Sequence, residues 1–522
     1  MKLVLGSSFA AVWLVVSALL LVLPSGSVAS SMAPVSWSSN NEAELIFCEG
    51  SGGEYGYKLS SDTSGSCDPA GVLVRMSPGQ SYKLTLRNEA SVETNLHTHG
   101  LHISGDGNAD DPRRKVQPGM CLIYHWDIPS DHMGGTFWMH AHSHLTTDDQ
   151  VSGGAFAMLI IEDSTVISSS SGVNSTDQSA IEQWYRNEIL LVASKVGNAA
   201  LGNGLSNYVI SMNAHEWYRM RIVAVDPAGK PSDLEFPSSC TVHAAAHDGV
   251  WRFQVPKQAS STTYTLSGAS RLDVAIKCSS GGDIDFSKRA VATISVSGSG
   301  SSGATPFTST GGSWASHRPF YLRDLSTLSS SQFETYSISM TAAQINGASY
   351  DPDTPLGTWN YNTLQQWTVS ASGAHPYHLH VYHMQAFQGC GGGVHDNGEY
   401  YDVISISGSC DVRFHMIDVG ESVMMHCHVL SHEDNGSMTW ANVVGGPTQS
   451  DVDREQTTCP GSPPMPSPTA STPTSPSPTP APITSSCAQN GESCTNGDDC
   501  CSGSCSRGNP ATRVCLAGRY LR

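Results

Sequence analysis

Four short histidine motifs are the residues of this sequence whose type and spacing could do chemistry. They read NLHTHG, FWMHAH, HPYHLH and MHCH, and they supply the pairs His97/His99, His140/His142, His378/His380 and His426/His428. Residues i and i+2 of a β-strand point to the same side, so each pair offers two imidazoles in one direction. Imidazole binds copper, zinc, iron and nickel, and eight imidazoles exceed the needs of a structural zinc site. We therefore predict a cluster of metal ions.

One cysteine stands inside the last motif. Cys427 lies between His426 and His428, so the alternation of a strand turns its sulfur to the opposite side. His375 and His432 are the nearest further imidazoles in the sequence. One thiolate with two imidazoles is the trigonal ligand set of a blue copper electron-transfer site. The sequence thus predicts a mononuclear thiolate centre that is joined through Cys427 to the histidine cluster.

The elements that must position these ligands are short strands. Alternating runs such as SYKLTLRN, GAFAMLIIED and RLDVAIKC are separated by Gly, Ser, Asn or Pro, which is typical of antiparallel β-sandwiches. We predict an all-β protein with three domains, at residues 43–165, 185–298 and 315–450. A Pro/Ser/Thr-rich linker at 460–486 and a cysteine-rich module at 487–516 follow them.

Composition and the first residues bear on the compartment. The net charge of −19 and the lack of a long basic run argue against nucleic acid as a partner. Residues 1–29 combine one lysine, an apolar run near residues 12–23 and small residues, which predicts a cleaved signal peptide and a secreted protein. An uncleaved membrane anchor is the alternative, but the apolar run is short for one. We expect no membrane span after cleavage.

Fifteen cysteines fit an oxidising compartment. Outside the last module and Cys427, we predict four disulfides, although spacing alone does not fix their connectivity. The predicted pairs are Cys48–Cys67, Cys240–Cys278, Cys390–Cys410 and Cys121–Cys459.

The cysteine-rich module is too short to build an apolar core, so disulfides must hold it together. Its six cysteines are Cys487, Cys494, Cys500, Cys501, Cys505 and Cys515. Their spacing resembles that of inhibitor-knot (knottin) domains, and the resemblance implies that the first pairs with the fourth, the second with the fifth and the third with the sixth. A tail without a ligand and a module that binds a polysaccharide or another surface are equal alternatives.

From about residue 43 to residue 446 the sequence resembles the multicopper oxidases. The four histidine motifs carry the resemblance, and GTFWMHAH and HCHVLSHEDNG are most similar to the copper-efflux and bilirubin oxidases. The resemblance implies three cupredoxin-like Greek-key domains and four copper ions per chain: one type 1, one type 2 and two type 3. It also implies one-electron oxidation of a small-molecule or metal-ion donor, and reduction of O2 to water.

The resemblance also implies a role for each ligand. The type 1 ligands are His375, Cys427 and His432, and the type 2 ligands are His97 and His378. The type 3 pair is held by His99, His140, His142, His380, His426 and His428. Among acidic residues, Glu433 matches a family glutamate proposed as a proton donor. Asp110 and Asp111 lie near the position of a family acid, and a solvated loop is their alternative role.

The axial position of the type 1 site is unusual. By the resemblance it lies five residues after His432, at Ser437, where relatives commonly have Met, Leu or Phe. A serine hydroxyl binds copper poorly, so we predict a nearly three-coordinate site of high potential. A one-residue bulge that brings Met438 into the axial place is the alternative.

The donor is the least determined part of the function. A cuprous oxidase favours a methionine-rich segment and a ferroxidase favours carboxylates, whereas the methionines are scattered and SASGA precedes His375. We therefore expect a phenol or an aromatic amine, with a metallo-oxidase (ferroxidase or cuprous oxidase) as the alternative. From another class, a copper-storage or surface-binding protein competes with the enzyme. We expect a monomer.

Overall fold

The computed structural model describes residues 32–62, 66–163, 181–182, 184–258, 261–300, 314–390, 394–447 and 457–459. The predicted signal peptide, the whole linker at 460–486 and all six cysteines of the last module lie outside these residues. Within the described ranges, we find no helix with the length and apolarity that a membrane crossing requires.

The first β-sandwich contains two five-stranded sheets, in the orders β1-β4-β9-β8-β6 and β3-β2-β5-β7-β32. Its core arises from alternation: β5 buries Tyr82, Leu84 and Leu86 and turns the residues between them outward. Its elements are β1 Ala33–Pro34, β2 Glu42–Glu49, β3 Tyr55–Leu59, β4 Val72–Met76, β5 Ser81–Asn88, β6 His97–His99, α1 Gly107–Asp110, β7 Met120–Asp127, β8 Gly135–His140, α2 Thr147–Gly153, β9 Phe156–Ile161 and, from the far end of the described chain, β32 Thr457–Thr458.

The second β-sandwich also has two sheets, in the orders β11-β10-β13-β20-β15-β16, with β18 beside β15, and β12-β22-β21-β14-β19. Ile222, Val274 and Ile276 are in its apolar core. Its strands are β10 Glu188–Val196, β11 Ala199–Gly202, β12 Val209–Ala214, β13 Tyr218–Val225, β14 Ser232–Glu235, β15 Cys240–His247, β16 Val250–Trp251, β17 Gln254–Val255, β18 Lys257–Gln258, β19 Thr263–Leu266, β20 Arg271–Cys278, β21 Gly282–Phe286 and β22 Arg289–Ser299.

The third unit, called the third sandwich below, is an eight-stranded sheet of order β25-β31-β30-β26-β29-β27-β28, with β24 beside β26. Trp367, Val369 and Phe414 lie in its core. Its elements are β23 Trp314–Ala315, which pairs with β17, two 3-10 turns at Phe320–Leu322 and Ser330–Gln332, β24 Glu334–Met340, β25 Gly357–Asn360, β26 Thr363–Leu379, β27 Met384–Gln388, β28 Tyr400–Tyr401, β29 Val403–Met416, β30 Glu421–Cys427, α3 Leu430–Asp434 and β31 Met438–Val444.

The all-β class predicted from the alternating runs is confirmed. An additional apolar cluster joins the three units, with Trp138 from the first, Val223 from the second, and Val403 and Leu430 from the third. The three units are therefore packed against one another through side chains that water does not reach.

All four predicted disulfides outside the last module are confirmed: Cys48–Cys67, Cys121–Cys459, Cys240–Cys278 and Cys390–Cys410. Among the described cysteines, Cys427 alone is free, as its predicted metal role requires. The Cys121–Cys459 bond lies where β32 pairs with β7, so it fastens the end of the described chain to the first sandwich.

We predict that replacing both Cys121 and Cys459 by serine lowers the free energy of unfolding by about 2–4 kcal/mol, because the bond closes a long loop. The thermal unfolding midpoint in calorimetry measures this loss. The double replacement of Cys48 and Cys67 is the matched control. It opens a loop with a sequence separation of 19 rather than 338, so its loss should be smaller. Equal losses would contradict the loop-closure explanation.

Candidate metal centre

Strand pairing within the first and third sandwiches, and the packing of these two units against each other, assemble the eight histidines into one cluster. In the first sandwich β6 and β8 pair so that His97 lies opposite His140. In the third, β26 and β30 pair so that His378 lies opposite His426. The other four members, His99, His142, His380 and His428, lie two residues further along the same segments, and all eight side chains are buried.

The distances between the imidazoles suit metal ions shared among several rings. Nε2 of His97 lies 3.4 Å from Nε2 of His378, and Nε2 of His426 lies 3.2 Å from Nε2 of both His142 and His380. Ligand atoms within 4.8 Å of one another form three groups of histidines alone: His97, His99 and His378; His99, His140 and His428; and His142, His380 and His426. A further group joins Asp110 to His97 and His380. The cluster joins the first and third sandwiches.

Hydrogen bonds on one ring nitrogen orient several imidazoles. Nδ1 of His140 donates to the carbonyl of Ala141 at 2.9 Å, and Nδ1 of His378 donates to the carbonyl of Asp402 at 2.8 Å. Such bonds fix the tautomer and leave Nε2 for a metal. Nε2 of His140 and both ring nitrogens of His428 are buried without a hydrogen-bond partner. Buried polar atoms are normally satisfied, so these nitrogens fit metal coordination.

Burial also keeps the cluster in the form that binds metal. Burial lowers the pKa of His142 and of His426 to about 4, and burial with neighbouring imidazoles lowers the pKa of His428 well below its usual range. The rings are therefore neutral at physiological pH, and neutral imidazole is the metal ligand.

The predicted thiolate group lies on the other face of β30. Sγ of Cys427 is 3.3 Å from Nδ1 of His375 and 3.6 Å from Nδ1 of His432. His375 follows an irregularity in the pairing of β26 with β29, and His432 lies in the short helix α3. Burial raises the pKa of the Cys427 thiol to about 12, so its thiolate requires a bound cation. A soft thiolate with two imidazoles fits copper.

The pairing of β30 with β31 bears on the axial position. The ladder continues without irregularity from Glu421 and Val443 to His426 and Met438. Directly opposed residues share one face of a sheet, so Met438 lies on the His426 face rather than on the Cys427 face.

Ser437 lies opposite Cys427, whose N–H donates to the Ser437 carbonyl at 3.0 Å. The Ser437 hydroxyl oxygen is buried without a hydrogen-bond partner. The described ladder thus contains no bulge at Met438, and it favours Ser437 as the residue facing the thiolate.

The three predicted acidic residues have different surroundings. Glu433 is buried, with Oε2 3.1 Å from Nδ1 of His426 and Oε1 3.4 Å from Nδ1 of His142, and burial raises its pKa. Asp110 is also buried, 2.8 Å from Nδ1 of His97, and burial raises its pKa well above the usual value.

Asp111, in contrast, contacts no histidine of the cluster among the described residues. Its Oδ1 accepts a hydrogen bond from Nε of Arg113 at 2.8 Å. Arg113 in turn donates to the Ser422 hydroxyl at 2.8 Å, so Asp111 helps to anchor the first sandwich to the third.

Sequence reasoning missed Asp402. Its Oδ1 lies 3.2 Å from Nε2 of His99, and its carbonyl accepts the hydrogen bond from His378. Asp402 lies between β28 and β29 and belongs to none of the histidine motifs, so no local pattern identifies it. Only the spatial pairing of the strands brings it to the cluster.

Comparisons with known proteins agree with this geometry. Two multicopper oxidase family profiles match the chain, at residues 69–166 and 317–446. The multicopper oxidase mco of Staphylococcus haemolyticus is 24% identical over 70% of this chain and 80% of its own length. Laccase-1 of Pleurotus ostreatus is 26% identical over 30% of this chain and 32% of its own length. In fold, the chain is similar to a Campylobacter jejuni multicopper oxidase described as a metallo-oxidase. The TM-score is 0.61 at 19% identity, covering 80% of this chain and 96% of that one.

The chain matches the multicopper oxidase family in both of these regions, and its relatives and its fold support the same family. It is accordingly an oxidoreductase that uses O2, and copper is its cofactor. The two matched regions contain all the histidines of the cluster together with Cys427.

We predict that the purified protein binds about four copper ions per chain and that Cys427→Ser binds about three and loses the blue absorption, because the thiolate is specific to one site. Metal analysis and the visible spectrum measure both. His144→Ala is the control, since His144 packs 4.8 Å from the ring of Tyr350 outside the grouped ligands. A blue Cys427→Ser protein would contradict the thiolate assignment.

We also predict that Ser437→Met lowers the potential of the blue copper and changes its spectrum, because the thioether adds a weak axial ligand to Cu(II) at a position where the serine hydroxyl binds poorly. Met438→Leu, the control on the other face of β31, should change neither. Redox titration followed at the blue band measures the shift. A marked rise in potential with Met438→Leu and silence with Ser437→Met would reverse the axial assignment.

Proposed function

We propose that this protein is a laccase-like oxidase. It takes single electrons from a phenol or aromatic amine at a type 1 copper site and reduces O2 to water at a trinuclear copper site. His375, Cys427 and His432 hold the type 1 copper, and His97 and His378 hold the type 2 copper. The type 3 pair is held by His99, His140, His142, His380, His426 and His428. Copper, when bound, supplies the one-electron redox steps.

One observation carries the proposal: Cys427 and its two neighbours in sequence face opposite sides of β30. The sulfur of Cys427 lies with His375 and His432, whereas His426 and His428 belong to the buried cluster. The path from the donor side to the oxygen side is therefore a few covalent bonds of one strand. A storage protein has no use for such a connection between two different sites.

The chain also supplies groups that can hold protons beside the cluster. Glu433 can carry a proton on the oxygen that lies 3.1 Å from His426, and Asp110 can carry one beside His97. Both carboxyls are buried, and burial raises the pKa of each. Reduction of O2 to water consumes protons, so buried carboxyls with a raised pKa are suited to supply them there.

The surroundings of His432 support an organic donor. His375 is almost fully buried and His432 is half-buried, so the donor reaches this pair of rings from the surface at α3. Burial, the neighbouring His375 and the ammonium of exposed Lys230 all lower the pKa of His432. A positive charge at this place repels Fe(II) and Cu(I), and it tolerates neutral or anionic aromatics.

Export is part of the same proposal. Four disulfides among the described residues suit an oxidising compartment, in keeping with the signal pattern of residues 1–29. The donor would then be encountered outside the cell.

The test is oxygen uptake by copper-loaded protein with a panel of a neutral phenol, an anionic aromatic amine, Fe(II) and Cu(I). We expect turnover with the aromatic donors and little with the metal ions, because Lys230 opposes cations. Lys230→Glu should shift the preference towards Fe(II), and Lys230→Gln should be intermediate. Preference of the unaltered protein for Fe(II) or Cu(I) would make it a metallo-oxidase, and no uptake with any donor would favour copper storage.

A further inference from the structure

The second sandwich contributes no histidine to the grouped ligands of the described residues, yet one of its arginines reaches their immediate neighbour. Arg271 is the first residue of β20, and its side chain is fully buried. Its Nη1 donates to Oδ1 of Asp402 at 2.8 Å, and its Nη2 donates to Oδ2 of the same carboxylate. This bidentate ion pair fixes the orientation of the carboxylate as well as its position.

Asp402 in turn touches ligands from two sandwiches. Its backbone carbonyl accepts the hydrogen bond from Nδ1 of His378, in the third sandwich. Its Oδ1 lies 3.2 Å from Nε2 of His99, in the first. A movement of Asp402 therefore changes the orientation of His378 and the surroundings of His99 together.

Arg271 is itself held firmly. Its backbone N–H donates to Oδ1 of Asp248 at 2.8 Å, and its Nη1 also donates to the carbonyl of Ala269 at 3.1 Å. The second oxygen of Asp248 accepts from the backbone N–H of Val403, next to Asp402, at 3.4 Å. The second sandwich thus forms hydrogen bonds with both the side chain of Asp402 and the backbone of Val403 beside it.

Gly100 shows how little free space surrounds this pair. It follows His99 directly, with a φ of +93°, and an added Cβ would lie 2.4 Å from both Nη2 of Arg271 and Oδ2 of Asp402. The glycine of the NLHTHG motif therefore lets the ion pair approach the ligand-bearing strand β6. Without Arg271, Asp402 would be a buried carboxylate without its strongest partner, and such a group must move, take up a proton or admit water.

We propose that Arg271 is a positioning residue for the type 2 copper: through Asp402 it holds His378 in the orientation in which the imidazole binds the metal. The proposal rests on the assignment of His97 and His378 made above. It gives the second sandwich a part in the copper chemistry, although that sandwich supplies none of the assigned ligands. Partners that orient a metal ligand in this way commonly matter nearly as much as the ligand.

The experiment compares Arg271→Gln with Arg219→Gln in the copper-loaded protein. Arg219 is an equally buried arginine of the second sandwich, paired with Asp163 and Asp273 at 2.5 and 2.6 Å, and neither carboxylate contacts a grouped histidine among the described residues. Both variants should lose stability. Only Arg271→Gln should change the electron paramagnetic resonance spectrum of the type 2 copper.

The same variant should weaken binding of that copper roughly 10- to 100-fold in competition with a chelator. The blue absorption of the type 1 copper should be unchanged in both variants. An unaltered type 2 spectrum and affinity in Arg271→Gln, or the same change in Arg219→Gln, would overturn the proposal.

Arg271→Lys keeps the charge but cannot form the bidentate pair with Asp402. We therefore expect a smaller change in the type 2 spectrum and copper affinity, in the same direction as for Arg271→Gln. If Arg271→Gln does not accumulate as folded protein, the lysine variant decides: a type 2 signal and affinity identical to those of the unaltered protein overturn the proposal. Failure of the ligand assignment is distinguishable, because the unaltered protein would then have no type 2 signal at all.

Discussion

The antiparallel pairing of β26 with β30 is the interaction on which both metal sites depend. It puts His378 opposite His426 and Tyr377 opposite Cys427. Because alternate residues of a strand face opposite ways, this single register directs the histidines to the buried cluster and the thiol to the other face. A shift of this register by one residue would turn both the histidines and the thiol to the opposite faces, so it would disrupt both sites together. The apolar residues around the ladder, such as Met425 and Val423, are what make the register unambiguous.

Much of the site could be predicted because its determinants are local. The His-x-His spacing fixes the direction of each pair, and the place of Cys427 between two histidines fixes the separation of the two centres. The four disulfides were also predictable, since three close short loops and the fourth joined the remaining cysteines. The family resemblance limited the axial position to Ser437 or Met438, and the uninterrupted β30–β31 ladder shows that Met438 lies on the other face.

Other parts could not be predicted because their partners are distant in sequence. Contact between the first and third sandwiches places Asp402 beside His99. Contact between the second and third sandwiches places Arg271 beside Asp402. Asp110 and Asp111 are adjacent and chemically identical, yet one contacts His97 and the other pairs with Arg113. Asp110 ends α1 and Asp111 follows it, and only the packing of this segment against the first and third sandwiches decides which carboxylate faces the metal ligands.

The second sandwich is best understood as the part that fixes the other two. In the cluster, imidazole nitrogens of the first and third sandwiches lie 3.2 and 3.4 Å apart, so the relative position of these two units must be fixed. The apolar cluster around Trp138, Val223 and Leu430 stabilises the contact between the three units. The hydrophobic effect is non-directional, however, so it does not fix their relative orientation. Buried ion pairs fix the relative orientation of the units: Arg219 pairs with Asp163 of the first sandwich, and Arg271 pairs with Asp402 of the third. Removing one partner of such a pair typically costs about 3–5 kcal/mol, whereas replacing both by apolar residues is often neutral. The net stability from these pairs is therefore small, and their contribution is mainly geometric: they fix the positions of the two sandwiches that supply the grouped histidines.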